Sequence, residues 1–131
     1  MTIPFWCLFI AAVLPSAWFS LAAPLRAKQF GKDFDNHTPR AQEPKLLALA
    51  ARAQGVHMNS MEALTYFAPA VLVAHLTHAD PVWSARLCGA FIALRLLHAV
   101  MYLADRPPLR TTFFSLALLS AFALFVLAAC A

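Results

Sequence analysis

Residues 3–24 read IPFWCLFIAAVLPSAWFSLAAP and contain no charged side chain. A helix that crosses a bilayer needs roughly 20 predominantly apolar residues, so this stretch is long enough to span. Residues 112–131, TFFSLALLSAFALFVLAACA, are equally free of charge. The whole chain of 131 residues is 62% hydrophobic and 12% charged. Because an ordinary soluble domain carries about 25% charged residues, the composition predicts an integral membrane protein.

Apolar stretches separated by short polar connections account for nearly the whole chain. We therefore predict an all-α membrane protein, a single domain of residues 1–131 folded as a four-transmembrane-helix bundle. The predicted spans are residues 3–24, 56–76, 82–103 and 112–131.

The long polar connection lies between the first and the second span. Residues 31–40, GKDFDNHTPR, are rich in turn-forming side chains and predict an irregular loop. Pro44 then has the position of a first-turn helix proline, so the second helix is predicted to begin there and to end near Leu76. Residues 105–110 are predicted to form the turn before the last span.

The first span has an alternative interpretation as a cleaved signal peptide, because residues 21–23, LAA, resemble a small-residue cleavage site. A signal peptide carries its positive charges before the apolar stretch. Here Arg26, Lys28 and Lys32 follow it. The order of the charges favours a retained membrane anchor.

Lysine and arginine residues are concentrated in the connections on one side of the predicted membrane. By the positive-inside rule that side is cytoplasmic. We therefore predict a multi-pass protein of the bacterial inner (plasma) membrane with both termini on the periplasmic side. The positive charges form no basic stripe, so the formal charge of +4 does not indicate nucleic acid as a partner. The cytoplasmic residues are Arg26, Lys28, Lys32, Arg40, Lys45, Arg52, Arg106 and Arg110.

Cysteine and histidine give little indication of metal binding. His75 and His78 are three residues apart, and Asp80 is the one nearby carboxylate. A helix C-terminus also favours histidine, so we predict no metal site. The three cysteines lie in apolar stretches without metal-ligand spacing, and we interpret them as small buried hydrophobic residues; they are Cys7, Cys88 and Cys130.

Several polar side chains lie inside the predicted spans, where a charged group costs roughly 2.5 to 3.5 kcal/mol. Each therefore needs a buried partner or a function. Glu62 and Arg95 are predicted to form an ion pair between the second and third helices. The set as a whole is either a group of interhelical polar contacts or a binding site near the cytoplasmic face. Helical spacing places each group on one helix face: Arg52, Asn59, Glu62 and Tyr66 on the second helix, and Arg95, His98 and Tyr102 on the third.

The segments that carry this pattern resemble the MAPEG family, membrane-associated proteins in eicosanoid and glutathione metabolism, and in particular its small bacterial members. They are residues 35–40 (DNHTPR), residues 51–62 (ARAQGVHMNSME), residues 95–98 (RLLH), Tyr102 and Arg110.

The chain departs from the family enzymes at three positions. Gly55 stands where many of them carry an arginine, and Arg52, one turn further away, is the residue that could substitute for it. Ala63 replaces an aromatic or polar residue. Thr111 stands where the prostaglandin-synthase branch has serine.

The resemblance implies a homotrimer of four-helix subunits that binds glutathione between neighbouring subunits at the cytoplasmic side. It implies that Arg110 is the catalytic residue, which stabilises the glutathione thiolate. Arg26 or Lys28 would reach glutathione from the adjacent subunit. The cofactor-binding residues are then Arg26, Lys28, Arg52, Asn59, Glu62, Arg95, His98 and Tyr102.

The function implied by the resemblance is that of a glutathione-dependent transferase or peroxidase. Its substrate would be a lipophilic electrophile drawn from the bilayer. A guanidinium beside a thiol in a partly desolvated site favours the thiolate, which agrees with this chemistry. The alternative, from a different class, is a non-catalytic membrane scaffold or ligand-binding protein that retains the MAPEG fold.

Overall fold

The computed structural model describes residues 1–131 and contains four long α-helices and no β-strand. Two short 3₁₀ helices, Gly31–Asp33 and Pro39–Lys45, lie in the connection between the first two α-helices. Successive helices are antiparallel, so the last turns of α1 and α3 lie beside the first turns of α2 and α4. We call this the basic end of the bundle, and the other the turn end. The helices are α1 (Ile3–Phe30), α2 (Ala48–Leu76), α3 (Pro81–Leu103) and α4 (Pro107–Ala129).

Proline and a capping carboxylate determine where the last two helices begin. The Asp80 carboxylate accepts hydrogen bonds from the N–H groups of Val82 (3.0 Å) and Trp83 (2.8 Å), which caps α3. α4 begins at Pro107, five residues before the predicted span. Proline is tolerated there because the first helical turn leaves its N–H groups unpaired in any case. Part of the predicted 105–110 turn is therefore helical.

The prediction that α2 begins at Pro44 is wrong. Pro44 lies inside the second 3₁₀ helix, and α2 begins only at Ala48. Contacts with α1 hold the chain extended before that point: the Gln29 side chain donates to the carbonyl of Lys45 (2.9 Å) and accepts the N–H of Leu47 (3.0 Å). The predicted irregular loop likewise contains short 3₁₀ turns.

The core of the bundle consists of stacked aromatic rings with small residues packed around them. The rings of Phe67 on α2 and Phe91 on α3 stack with centroids 3.8 Å apart and planes 5° from parallel. Alanines surround them at buried positions of α2 and α4, including Ala70 and Ala121. Small side chains let helix backbones approach closely, which is how helices pack where hydrophobic burial from water is absent.

Three segments are long and apolar enough to cross a membrane: Ile3–Asp33, Pro81–Leu103 and Pro107–Ala129. The helix α2 is not among them, although it contains 29 residues, because its polar side chains lower its mean hydropathy. It packs against all three other helices, as α3 also does. The chain is thus an integral membrane protein with three apolar helices, and the predicted second span, residues 56–76, is not confirmed.

Candidate functional site

A cleft of about 230 Å³ opens at the basic end of the bundle between α2, α3 and α4. We call it the Arg110 cleft. It brings together four of the residues predicted from the sequence, with two residues of α4 that were not predicted. The six lining residues are Asn59, His98, Tyr102, Arg110, Thr111 and Phe114.

Arg110 lies in the first turn of α4, and its side chain reaches back over α3. Its guanidinium carbon is 4.6 Å from the centroid of the Tyr102 ring, a cation–π contact. Such a contact contributes about 0.5–1 kcal/mol when exposed and about 2 kcal/mol when desolvated. It also restricts a long side chain that would otherwise sample many rotamers. The half-buried guanidinium is thereby held where an anion in the cleft can meet it.

His98 joins the end of α3 to the start of α4. Its Nδ1 lies 3.0 Å from the carbonyl oxygen of Arg110. Because a carbonyl oxygen only accepts, Nδ1 carries a proton, and in the neutral ring Nε2 is an acceptor. Nε2 is buried and has no hydrogen-bond partner. The ring also meets Tyr102 edge to face, with centroids 5.7 Å apart. His98 therefore positions both Arg110 and Tyr102.

Gly55 receives the Tyr102 side chain. A Cβ atom at position 55 would lie 2.5 Å from the Tyr102 hydroxyl oxygen and 2.8 Å from Cζ, closer than real contacts allow. The tyrosine thus fills the space beside the α2 backbone that a side chain at position 55 would need. The glycine that stands in place of the family enzymes' arginine therefore leaves the space that Tyr102 occupies.

Arg95 connects α3 to α2 beneath the cleft. It is 4% exposed, and its Nη2 donates to the carbonyl oxygen of Asn59 (2.8 Å). Its Nη1 has no partner. The Asn59 amide in turn donates to the carbonyl of Gly55 (2.9 Å). Arg95 thus fixes the part of α2 that lines the Arg110 cleft and keeps one buried donor unpaired.

The predicted ion pair between Glu62 and Arg95 is absent. The only two salt bridges in the chain involve other residues. Glu62 is exposed, because the face of α2 that meets α3 is narrower than the predicted polar face and Glu62 lies outside it. Tyr66 packs between aromatic rings, and its hydroxyl is buried without a partner. Neither residue lines the Arg110 cleft.

Arg52 holds the connection between α3 and α4. Its Nε donates to the carbonyl of Leu103 (3.2 Å), and its Nη1 lies 3.2 Å from the Asp105 carboxylate. The side chain therefore points along the basic end and does not line the Arg110 cleft. Arg52 therefore does not take the place of the arginine that is missing at position 55.

Arg26 and Lys28 lie away from the Arg110 cleft within one chain. Lys28 is exposed. Arg26 is 6% exposed, donates to the Pro39 carbonyl, and lies 3.8 Å from the Glu43 carboxylate. It lines a second cleft of about 490 Å³ between the end of α1, the 3₁₀ segment and the start of α2. The two clefts share the basic end.

The sequence predicted four polar residues of the cleft but not how they are held. Helical spacing brings Asn59, His98 and Tyr102 onto facing sides of α2 and α3, which is why they could be grouped. The sequence did indicate that position 55 matters, because Gly55 lies one helical turn before Asn59. Nothing in the sequence indicated the bond from Arg95 to a main-chain carbonyl, since backbone acceptors carry no residue-type signature.

Antiparallel apolar helices with a basic, aromatic cleft at one end define an integral membrane protein of the α-helical bundle class. Within that class the chain belongs to the MAPEG family, whose family model matches residues 3–130. The family membership expected from the sequence is thereby confirmed. A comparison with curated proteins finds no match.

Proposed function

We propose that the protein is a glutathione-dependent transferase or peroxidase that acts on lipophilic electrophiles at the membrane. The observation that carries the proposal is the guanidinium of Arg110, held over the Tyr102 ring and beside buried His98. The family includes glutathione-dependent transferases and peroxidases as well as other members. A positioned cation in a partly buried cleft suits the chemistry of a bound thiol.

The unpaired groups around the cleft fit glutathione, which carries two carboxylates, an ammonium group and a thiol. Arg95 Nη1 is a buried donor without a partner, and His98 Nε2 is a buried nitrogen without one. Such groups are rare in folded proteins because each retains a desolvation cost. Of the two residues only His98 lines the cleft, so a donor group of a ligand could pair with its ring nitrogen there. Arg110 supplies the charge that a carboxylate or thiolate requires.

Glutathione supplies a thiol whose deprotonated form is the nucleophile. The chain's part is to favour that form. The Arg110 guanidinium stabilises negative charge on sulfur and lowers the pKa of a bound thiol from about 8.5. Tyr102 and His98 hold Arg110 in place beforehand, so little reorganisation accompanies the reaction. The apolar helix faces beside the cleft admit a lipophilic substrate from the bilayer.

We further propose that the functional unit is a homotrimer. The Arg110 cleft of one chain, at about 230 Å³, is smaller than the roughly 300 Å³ of typical small-molecule pockets. Glu62 is exposed on the intramembrane helix α2, and a charge there calls for a partner other than lipid. A neighbouring subunit could enclose the cleft and bring Arg26 or Lys28 to it.

We also propose how the four helices are arranged in the membrane. All four helices cross it, and α2 tolerates its polar side chains because the other three helices pack around it. The basic end is cytoplasmic by the positive-inside rule. Both termini then lie on the periplasmic side of a bacterial inner membrane, and the Arg110 cleft faces cytoplasmic glutathione.

Calorimetric titration of glutathione into protein in lipid nanodiscs tests the proposal. We expect binding at or below cellular millimolar concentrations, and at least tenfold weaker binding in Arg95→Met. The matched control is Arg86→Met, which removes an exposed arginine at the turn end of the same helix. If the wild-type protein binds no glutathione at millimolar concentration, the enzyme proposal is wrong and the scaffold alternative replaces it.

A further inference from the structure

The chemistry proposed for the Arg110 cleft requires a group that accepts a proton. A thiol becomes a strong nucleophile only when it loses its proton. Arg110 can stabilise the resulting negative charge, but it cannot accept the proton because a guanidinium is already protonated. The Asn59 amide and the Phe114 ring, which also line the cleft, are not bases. The Thr111 hydroxyl is not a base near neutral pH and already donates to the carbonyl of Pro107 (3.1 Å).

Tyr102 does not supply the base either. A phenol keeps its own proton at neutral pH, and its neutral oxygen has little tendency to take up a second one. The hydroxyl of Tyr102 also lies against the α2 backbone, where a Cβ atom at Gly55 would be 2.5 Å from its oxygen. Imidazole, in contrast, takes up and gives back a proton near neutral pH. Among the lining residues of the cleft this leaves His98.

The hydrogen bond of His98 determines which of its nitrogens is free. Nδ1 donates to the carbonyl oxygen of Arg110 (3.0 Å), so the lone pair of the neutral ring is on Nε2. His98 is 2% exposed, and Nε2 has no hydrogen-bond partner in the protein. The same bond joins the base to the residue that carries the guanidinium. The acceptor and the cation are therefore positioned relative to each other before a ligand binds.

The charged groups around the ring oppose a lasting positive charge on it. Arg95 on α3 and Arg110 on α4 both face His98, and α2 contributes the uncharged Asn59 to the cleft. Because like charges repel, a proton on Nε2 is favourable only when a negative charge lies beside it. The thiolate that forms when the proton is transferred is such a charge. His98 is thus suited to hold the proton for as long as the sulfur is ionised.

We propose that His98 is the general base of the Arg110 cleft, an inference that rests on the proposed glutathione chemistry. Nε2 accepts the thiol proton: the S–H bond breaks, an N–H bond forms, and the electron pair stays on the sulfur, which Arg110 stabilises. When the sulfur bonds to the electrophile, an electron pair moves onto the atom of the electrophile that leaves or gains charge. That atom takes the proton from Nε2, and the imidazole is neutral again.

Proton release on glutathione binding tests the proposal in the wild-type protein. Protein in nanodiscs is mixed with glutathione, without an electrophile, in weak buffer that contains a pH indicator, and the ultraviolet thiolate absorbance is recorded in parallel. We expect thiolate to form with little release of protons, because His98 retains them. Release of about one proton per thiolate, or binding without thiolate, would overturn the role of His98 alone. No binding of glutathione would overturn the proposed function as well.

His98→Asn separates the base from the positioning role of the ring. The asparagine amide can still donate to the Arg110 carbonyl but cannot accept a proton. We expect conjugation to fall about 10²- to 10⁴-fold, with a much smaller loss of glutathione binding. The remaining turnover should rise steadily with pH, because hydroxide replaces the lost base, and the remaining thiolate should form with proton release.

His75→Asn is the matched control, because the His75 ring also meets an aromatic ring edge to face (Phe5, 4.8 Å) but lies at the turn end. It should retain the turnover, pH profile and proton balance of the wild-type protein. If His98→Asn also retains all three, His98 only positions Arg110, and the assignment of the base is wrong.

Discussion

At the scale of single residues, the Arg110 cleft depends on one close contact between a side chain and a helix backbone. Tyr102 packs against the α2 backbone at Gly55, and from there its ring supports the guanidinium of Arg110. His98 holds the main chain of Arg110 from the other side. Three side chains on two helices are thus held by contacts that leave little freedom. A change at Gly55 should therefore reach Arg110 through the tyrosine.

Gly55→Ala should displace Tyr102 and release Arg110. Overpacking of this kind costs about 1–3 kcal/mol, so we expect a lower free energy of unfolding and a larger loss of glutathione-dependent turnover than of glutathione binding. Gly89→Ala is the control, because a Cβ there meets nothing within 4 Å. The measurements are thermal unfolding and steady-state kinetics of both variants. If Gly55→Ala and Gly89→Ala have the same stability and turnover, the contact between Tyr102 and Gly55 does not affect function.

Helical periodicity predicts which polar residues lie close together, whereas their roles in binding stay predictions. Asn59, His98 and Tyr102 line one cleft because their spacing places them on facing surfaces of neighbouring helices. Periodicity gives the angle around a helix only to within about one residue. This is why Glu62, at the border of that surface, faces outward instead of pairing across the helices.

At the scale of elements, the boundaries were less predictable than the helices. The three apolar helices follow from composition, since charge-free stretches of that length have few alternatives. Local signals did not reveal that Gln29 of α1 holds residues 45–47 extended, so the start of α2 was placed too early. Tertiary contacts across a connection leave no periodic pattern in the sequence.

The connection between α1 and α2 contains a turn stabilised by charge. The Asp35 carboxylate accepts hydrogen bonds from the Thr38 hydroxyl and from the N–H of His37 (2.8 Å). These bonds, the one from Thr38 first, hold the pKa of Asp35 below its ordinary value of 3.8. Because the folded pKa is the lower one, ionised Asp35 stabilises the turn above about pH 3.8. The contribution is lost as the pH falls through the folded value.

Thr38→Val should therefore raise the pKa of Asp35 toward 3.8, since it removes the largest cause of the shift. Carboxyl carbon NMR titration of the labelled protein measures it directly. Thr38→Ser keeps the hydroxyl and should leave the pKa low. An unchanged titration midpoint in Thr38→Val would mean that the hydroxyl does not bond the carboxylate in solution.

At the scale of the whole molecule, charge and polarity are distributed unequally between the two ends. The basic end carries both the Arg110 cleft and the cleft beside Arg26. The turn end carries a cavity beside Ser84 and few lysines or arginines. Orientation in the membrane therefore decides which ligands can reach which site. It also decides whether cytoplasmic glutathione has access to Arg110.

Cysteine labelling tests this orientation with little alteration of the chain. Cys7 and Cys88 are buried as the sequence predicts, but the same prediction is wrong for Cys130, which is exposed near the C-terminus. A membrane-impermeant maleimide added to intact spheroplasts should label Cys130. In a Cys130→Ser background, Ala41→Cys, at an exposed position of the long connection, should react only after permeabilisation. The inverse pattern would reverse the orientation and put the Arg110 cleft out of reach of cytoplasmic glutathione.

We propose that Arg110 stabilises the thiolate of bound glutathione, and a comparison of Arg110→Ala with Arg106→Ala measures this role. Both arginines lie at the start of α4, but only Arg110 lines the cleft. Conjugation of a model electrophile should fall about 10²- to 10³-fold in Arg110→Ala, or roughly 3 to 4 kcal/mol, with a parallel loss of the ultraviolet thiolate absorbance. Glutathione binding should weaken far less, and Arg106→Ala should match the wild-type protein. Unchanged turnover in Arg110→Ala, or wild-type protein that binds glutathione without a thiolate signal, would show that Arg110 does not stabilise the thiolate.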